Sequence, residues 1–134
     1  MKRSGTLLLT ASLLSACGDP DRRAYEDSVD CAANELALHQ YIEQARSPDE
    51  MALADDRQRF AILLQRARQA GRRVGRDGAS ARVEIERRVR AARERDDHRP
   101  ISAAVDERFT RARQCLASPG GSVMPLFGGK PTRD

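Results

Sequence analysis

Residues of chemically capable type are few in this chain, and their spacing argues against a catalytic or metal centre. The two histidines, His39 and His98, fall in different segments, and His98 closes the run Asp96–Asp97–His98. Successive side chains on a helix diverge by about 100°, so three in a row make a poor chelate. His39 sits beside a helical stripe of Tyr25, Val29 and Leu36 and reads as a boundary residue rather than a ligand. Asp55 and Asp56 fall on the expected solvent side of a helix, without the apolar pocket that raises a carboxyl pKa for acid–base work. No HExxH, CxxC, phosphate-cradling glycine loop or GxSxG serine setting occurs in the sequence. These residues therefore predict no catalytic residue, no metal ligand and no cofactor.

Charge is the next signal. Residues 21–56 carry three arginines against ten acids, and residues 57–99 carry fourteen arginines against six acids, so the two halves are of opposite sign. Helices of opposite charge neutralise each other when packed side by side, which is the simpler outcome. The sharper one is a basic surface for an anionic partner, centred on Arg72, Arg73, Arg76, Arg87 and Arg88. Phe60 is the one aromatic in the arginine-rich half, and helical spacing buries it, so nucleic-acid binding by base stacking is poorly supported.

The N-terminus adds a motif. Lys2 and Arg3 precede the apolar stretch "SGTLLLTASLLSA", which ends at Cys17. A short basic start and an apolar run of this length form a signal-peptide pattern, whereas a permanent membrane helix needs ~20 apolar residues. Leu14, Ser15, Ala16 and Cys17 resemble the lipobox of bacterial lipoproteins: an aliphatic residue, two small residues and the cysteine to be lipidated. The resemblance covers residues 1–17, and no family is identified for residues 18–134. It implies that residues 1–16 are cleaved, the small residues at 15 and 16 admitting a membrane-embedded peptidase to the bond before Cys17. It implies further that the Cys17 thiol carries a diacylglycerol thioether and its new amino group a further acyl chain. Two or three such chains hold a protein stably on a bilayer, where one is marginal. Gly18, in place of an aspartate after the cysteine, implies the outer membrane if the cell is Gram-negative.

With Cys17 assigned to lipid, Cys31 and Cys115 remain. An even pair in an exported domain is expected to oxidise, and the alternative is two buried free thiols. Near the start of a first helix and the end of a fourth, they lie at the same pole of an up-down-up-down bundle.

The elements that must position these residues are helical. Ala, Arg, Glu, Leu and Gln dominate, and no alternating β-branched run occurs, which predicts an all-α fold: a small antiparallel bundle of three to four helices over residues 25–117. Residues 17–24 are expected as a lipidated cysteine and short polar tether, and residues 118–134 as a Gly/Pro-rich irregular tail. The first helix is expected over Tyr25–Ala45, with two apolar stripes that suit two neighbours. Ser47, Pro48 and Glu50 have the form of a capping box opening a second helix, which Gly71 is placed to end near Ala70. A third helix, from Ala79 to Asp97, has a thin stripe of Ala81, Ile85, Val89 and Ala92. It is supported by charge pairs Glu84–Arg88, Glu86–Arg90 and Arg93–Asp97. A fourth, opening at Pro100, presents Ile101, Val105, Phe109, Ala112 and Leu116 as its buried face. The island Val123–Phe127 in the tail suits a core plug or a docking peptide.

Taken with the lipobox resemblance, these features imply a small lipid-anchored envelope protein that binds a protein partner or an anionic envelope polymer without catalysis. An inhibitor or immunity-type lipoprotein is one alternative. A cytoplasmic arginine-rich nucleic-acid-binding protein is the other.

Overall fold

The computed structural model describes residues 18–45, 47 and 49–117 and contains four helices: α1 (Pro20–Glu43), α2 (Glu50–Arg73), α3 (Gly78–Asp96) and α4 (Ile101–Ala117). An aspartate opens each of the first three. The Asp19 carboxylate accepts from the Asp21 N–H, that of Asp49 from the N–H groups of Met51 and Ala52, and that of Asp77 from Ser80. Each satisfies donors that the first helical turn leaves without partners.

These caps move two boundaries. Asp19 and Pro20, at N-cap and N1, start α1 five residues before Tyr25, so residues 20–24 are helix and not tether. The cap of α2 is Asp49 rather than Ser47, and Pro48 lies outside the described residues. The far end of α2 also differs, since the helix passes through Gly71 to Arg73 and the chain turns at Gly75, whose φ is +74°. Gly71 is needed for close approach instead. A Cβ there would stand 3.2 Å from Cε2 of the buried Tyr25 ring and 3.4 Å from the Arg76 Cβ.

The all-α antiparallel bundle is the observed architecture. Contacts along α1 give its arrangement: Tyr25 meets Gly71, Glu26 meets Arg88, Tyr41 meets Asp96 and Cys31 meets Cys115. Thus α1 runs antiparallel to α2 and α4 and parallel to α3. It packs on all three, while α2 also packs on α3. Four consecutive residues of α1, Ala32 to Glu35, are buried, as they must be in a helix covered on every side. Leu38, Leu63, Ile85 and Val29 supply the larger fully buried side chains. Ala32, Ala37, Ala67 and Ala81, also fully buried, allow the backbones to come close. The stripe of Ala81, Ile85, Val89 and Ala92 on α3 is buried as its spacing predicts.

On α4 the buried face departs from the expected one. Ala104, Arg108, Ala112 and Cys115 face inward, whereas Ile101 is 67% exposed and Phe109 43% exposed. Cys115 is bonded to Cys31 of α1, and the Arg108 guanidinium donates to Asp96 of α3, with Nη2 at 2.5 Å and Nε at 2.9 Å. Those two tethers set the rotation of the helix, and they outweigh its apolar stripe. The expected charge pairs on α3 are likewise redistributed. Glu84–Arg88 forms, but Glu86 takes Arg82, and Arg93 reaches across to Gln40 of α1 and to its C-cap Gln44.

Candidate functional site

The start of α1, the end of α2, the turn at 74–77 and the first turns of α3 meet at one pole of the bundle. There α1, the turn and α3 enclose an open cleft of about 560 Å³, walled by Arg22, Tyr25, Glu26, Arg76, Asp77, Val83, Glu84 and Arg87 among others. The caps described above explain the meeting. The early start at Pro20 carries Arg22 onto the helix, and the extension of α2 past Gly71 brings Arg72, Arg73 and the turn alongside it.

Four of the five arginines expected on a basic surface are exposed here. Arg72 and Arg73 occupy the last turn of α2, Arg76 the turn and Arg87 the cleft wall. Arg87 is held by Glu84, through Nη2 at 2.6 Å and Nε at 3.1 Å. Arg88 does not belong to the surface. It is turned inward between α1 and α3, where its guanidinium meets Glu26, Asp30 at 2.5 Å and Glu84 at 3.1 Å, and donates to the Glu26 carbonyl. Burial alone would lower its pKa; the carboxylates of Glu26, Asp30 and Glu84 reverse that and raise it. Arg88 is a staple between helices, its donors already engaged. Arg22 takes its place at the cleft, and a helix assumed to start at Tyr25 hides that role.

A second polar group, unforeseen from spacing, lies in the α1–α2 seam. Glu35 and Asp56 are fully buried. Arg59 Nε donates to Glu35 Oε1 at 2.7 Å, and its Nη2 donates to Asp56 Oδ1 at 3.3 Å. His39 Nδ1 stands 2.5 Å from Asp56 Oδ2, close but poorly aligned for a hydrogen bond. Asp56 is thus interior rather than on the solvent side, and His39 lies against a buried carboxylate. Glu35 Oε2 receives no hydrogen bond. Burial first, and the Asp56 carboxyl second, push the Glu35 pKa up to about 7 against the pull of Arg59. The signal for this group is present in the sequence as Glu35 with His39 at i+4 and Asp56 with Arg59 at i+3. It becomes visible only once the two pairs face each other.

The Asp96–Asp97–His98 run forms no joint site. Asp96 is buried and accepts from Arg108 and from the Tyr41 hydroxyl at 2.9 Å, while Asp97 and His98 are exposed. Among the described residues no three His, Cys, Asp or Glu side chains gather as metal ligands, and no helix is long and apolar enough to cross a membrane. Cys31 and Cys115 are at disulfide distance, 2.05 Å between sulfurs. Cys17 and the Val123–Phe127 island lie outside the described residues. No protein-family model matches the sequence, and no curated protein or solved structure matches it.

Proposed function

We propose that the protein is a lipid-anchored helical module of the cell envelope that acts by binding, without catalysis. The observation that carries this is the sequence Leu14–Ser15–Ala16–Cys17 behind a basic start and a short apolar run. The Cys31–Cys115 pair supports it, because disulfides persist in compartments outside the cytoplasm. The surface it offers a partner is the arginine-lined pole, one helix start away from the anchor.

Processing tests the proposal directly. Cys17→Ala, or globomycin treatment of the host, leaves a full-length precursor, whereas the untreated wild type runs shorter and carries acyl chains on its N-terminal peptide by mass spectrometry. A wild-type chain of unchanged length, recovered in the soluble fraction without acyl chains, refutes the anchor.

A further inference from the structure

We infer that the arginine-lined pole is a docking surface for anionic phospholipid headgroups, the headgroups of the same leaflet that holds the acyl chains on Cys17. The inference rests on the lipid-anchor proposal and adds an orientation and a partner to it.

Distance is the first ground. Three residue steps separate Cys17 from Pro20, where α1 begins, and an extended chain spans at most about 3.6 Å per residue. The first residue of α1, at this pole, is therefore held within about 11 Å of the anchor, comparable to the Debye length of about 8 Å at physiological ionic strength. A flexible tether reaching to Tyr25 would have let the domain float beyond that range; the helix start at Pro20 prevents it.

Charge is the second. Arg22, Arg23, Arg72, Arg73 and Arg76 are all exposed at this end of the bundle. The acids beside them are Asp19, Asp21, Asp27, Asp77, Glu26 and Glu84, the last two paired with Arg88 and Arg87. Asp19 and Asp77 are committed as N-caps, each accepting a backbone N–H. Arg72, Arg73 and Arg76 form no ion pair with any described carboxylate. The opposite pole is net acidic: Glu43, Asp49, Glu50, Asp55, Glu94 and Asp97 are exposed there against Arg57, Arg95 and Arg99. The bundle thus carries a charge axis along its helices, with the basic end at the anchor and the acidic end away from it. On an anionic leaflet this charge axis favours one upright orientation.

Shape is the third. The basic end is recessed, and because the cleft wall sets Glu26, Asp77 and Glu84 against Arg22, Arg76 and Arg87, the headgroups meet the exposed arginines at its rim rather than its floor. Anionic lipid attracts each basic residue near its surface strongly enough to change partitioning roughly fivefold per arginine.

The test uses the lipidated protein purified from its host and reconstituted into vesicles of phosphatidylcholine alone or with added phosphatidylglycerol. Arginines are modified with phenylglyoxal, and rates are read peptide by peptide by mass spectrometry. On the anionic vesicles at low salt, modification of Arg22, Arg72, Arg73 and Arg76 slows several-fold, high salt relieves the slowing, and Arg57 and Arg95 toward the other pole are unaffected. R72E/R73E/R76E, exposed changes that leave the core intact, abolishes the slowing at Arg22. Equal rates on both vesicle types overturn the inference. Slowing by a soluble teichoic acid or lipopolysaccharide, and not by phosphatidylglycerol, overturns it in favour of a polymer partner. Failure of the anchor is seen separately, as missing acyl mass on Cys17 before any vesicle is added.

Discussion

Glu35 and Asp56 bring two carboxyl groups into one interior seam with a single guanidinium, that of Arg59, bridging them and His39 at the edge. Two buried anions beside one full cation leave an imbalance that a proton on Glu35 removes, and its raised pKa of about 7 reflects that. The linkage sign follows. Between the ordinary value of 4.5 and about 7, the folded state binds the proton that the unfolded state has lost, so stability from this group falls as pH rises through that window. Glu84, lowered by Arg87, and Asp96, lowered by Arg108 and Tyr41 against the effect of its burial, act below the window. Urea denaturation at pH 5 and pH 8 should therefore show wild-type stability dropping by on the order of 1–3 kcal/mol. Glu35→Gln keeps an acceptor for Arg59, presents an N–H to Asp56 and cannot titrate, so most of that drop should vanish. A variant with the wild-type slope would place its origin on another group.

At the scale of elements, α4 shows two orienting forces in competition. Its apolar residues at 101, 105 and 109 recommend one face, and a buried ion pair and a disulfide impose another. A core phenylalanine costs about 3–5 kcal/mol when cut to alanine, whereas half-exposed Phe109 should cost under about 1 kcal/mol. Arg108→Met should be the more damaging change, by about 3 kcal/mol or more, because it leaves the buried Asp96 carboxylate without its main counter-charge. The order of the two urea midpoints checks the rotation of the helix. If Phe109→Ala proves the worse variant, the apolar stripe faces inward after all. On α3 no such conflict exists, and there the stripe read from spacing is the buried face.

For the whole molecule, a core rich in alanine and poor in large side chains places weight on the cross-link. The Cys31–Cys115 bond joins residues 84 apart and closes nearly the whole described bundle. Loop-closure entropy assigns such a link about 4–5 kcal/mol, a large share of the 5–15 kcal/mol typical of a domain. Cys31→Ala/Cys115→Ala should lower Tm by roughly 20 °C, measured by circular dichroism, and reduction of the wild type should approach the same value. A fall of only a few degrees would show that helix packing suffices. The same link brings the end of α4 back along α1 toward the arginine-lined pole.

Helix type, the capped helix starts and the α3 stripe can be read from contiguous residues, because propensity, capping and periodicity act over one to four positions, whereas the choice between three and four helices stays open at that range. Even the starts at Asp19 and Asp49 are local signals, the first hidden in a stretch that reads as a polar tether and the second beside the more familiar pattern of Ser47, Pro48 and Glu50. The inward turn of Arg88, the rotation of α4 and the meeting of Glu35 with Asp56 are of another kind. Each depends on a partner some 12 to 84 residues away, Arg108 with Asp96 at one limit and Cys31 with Cys115 at the other. A buried charge or thiol has its place set by whatever can satisfy it, and that partner is brought within reach only when the helices pack.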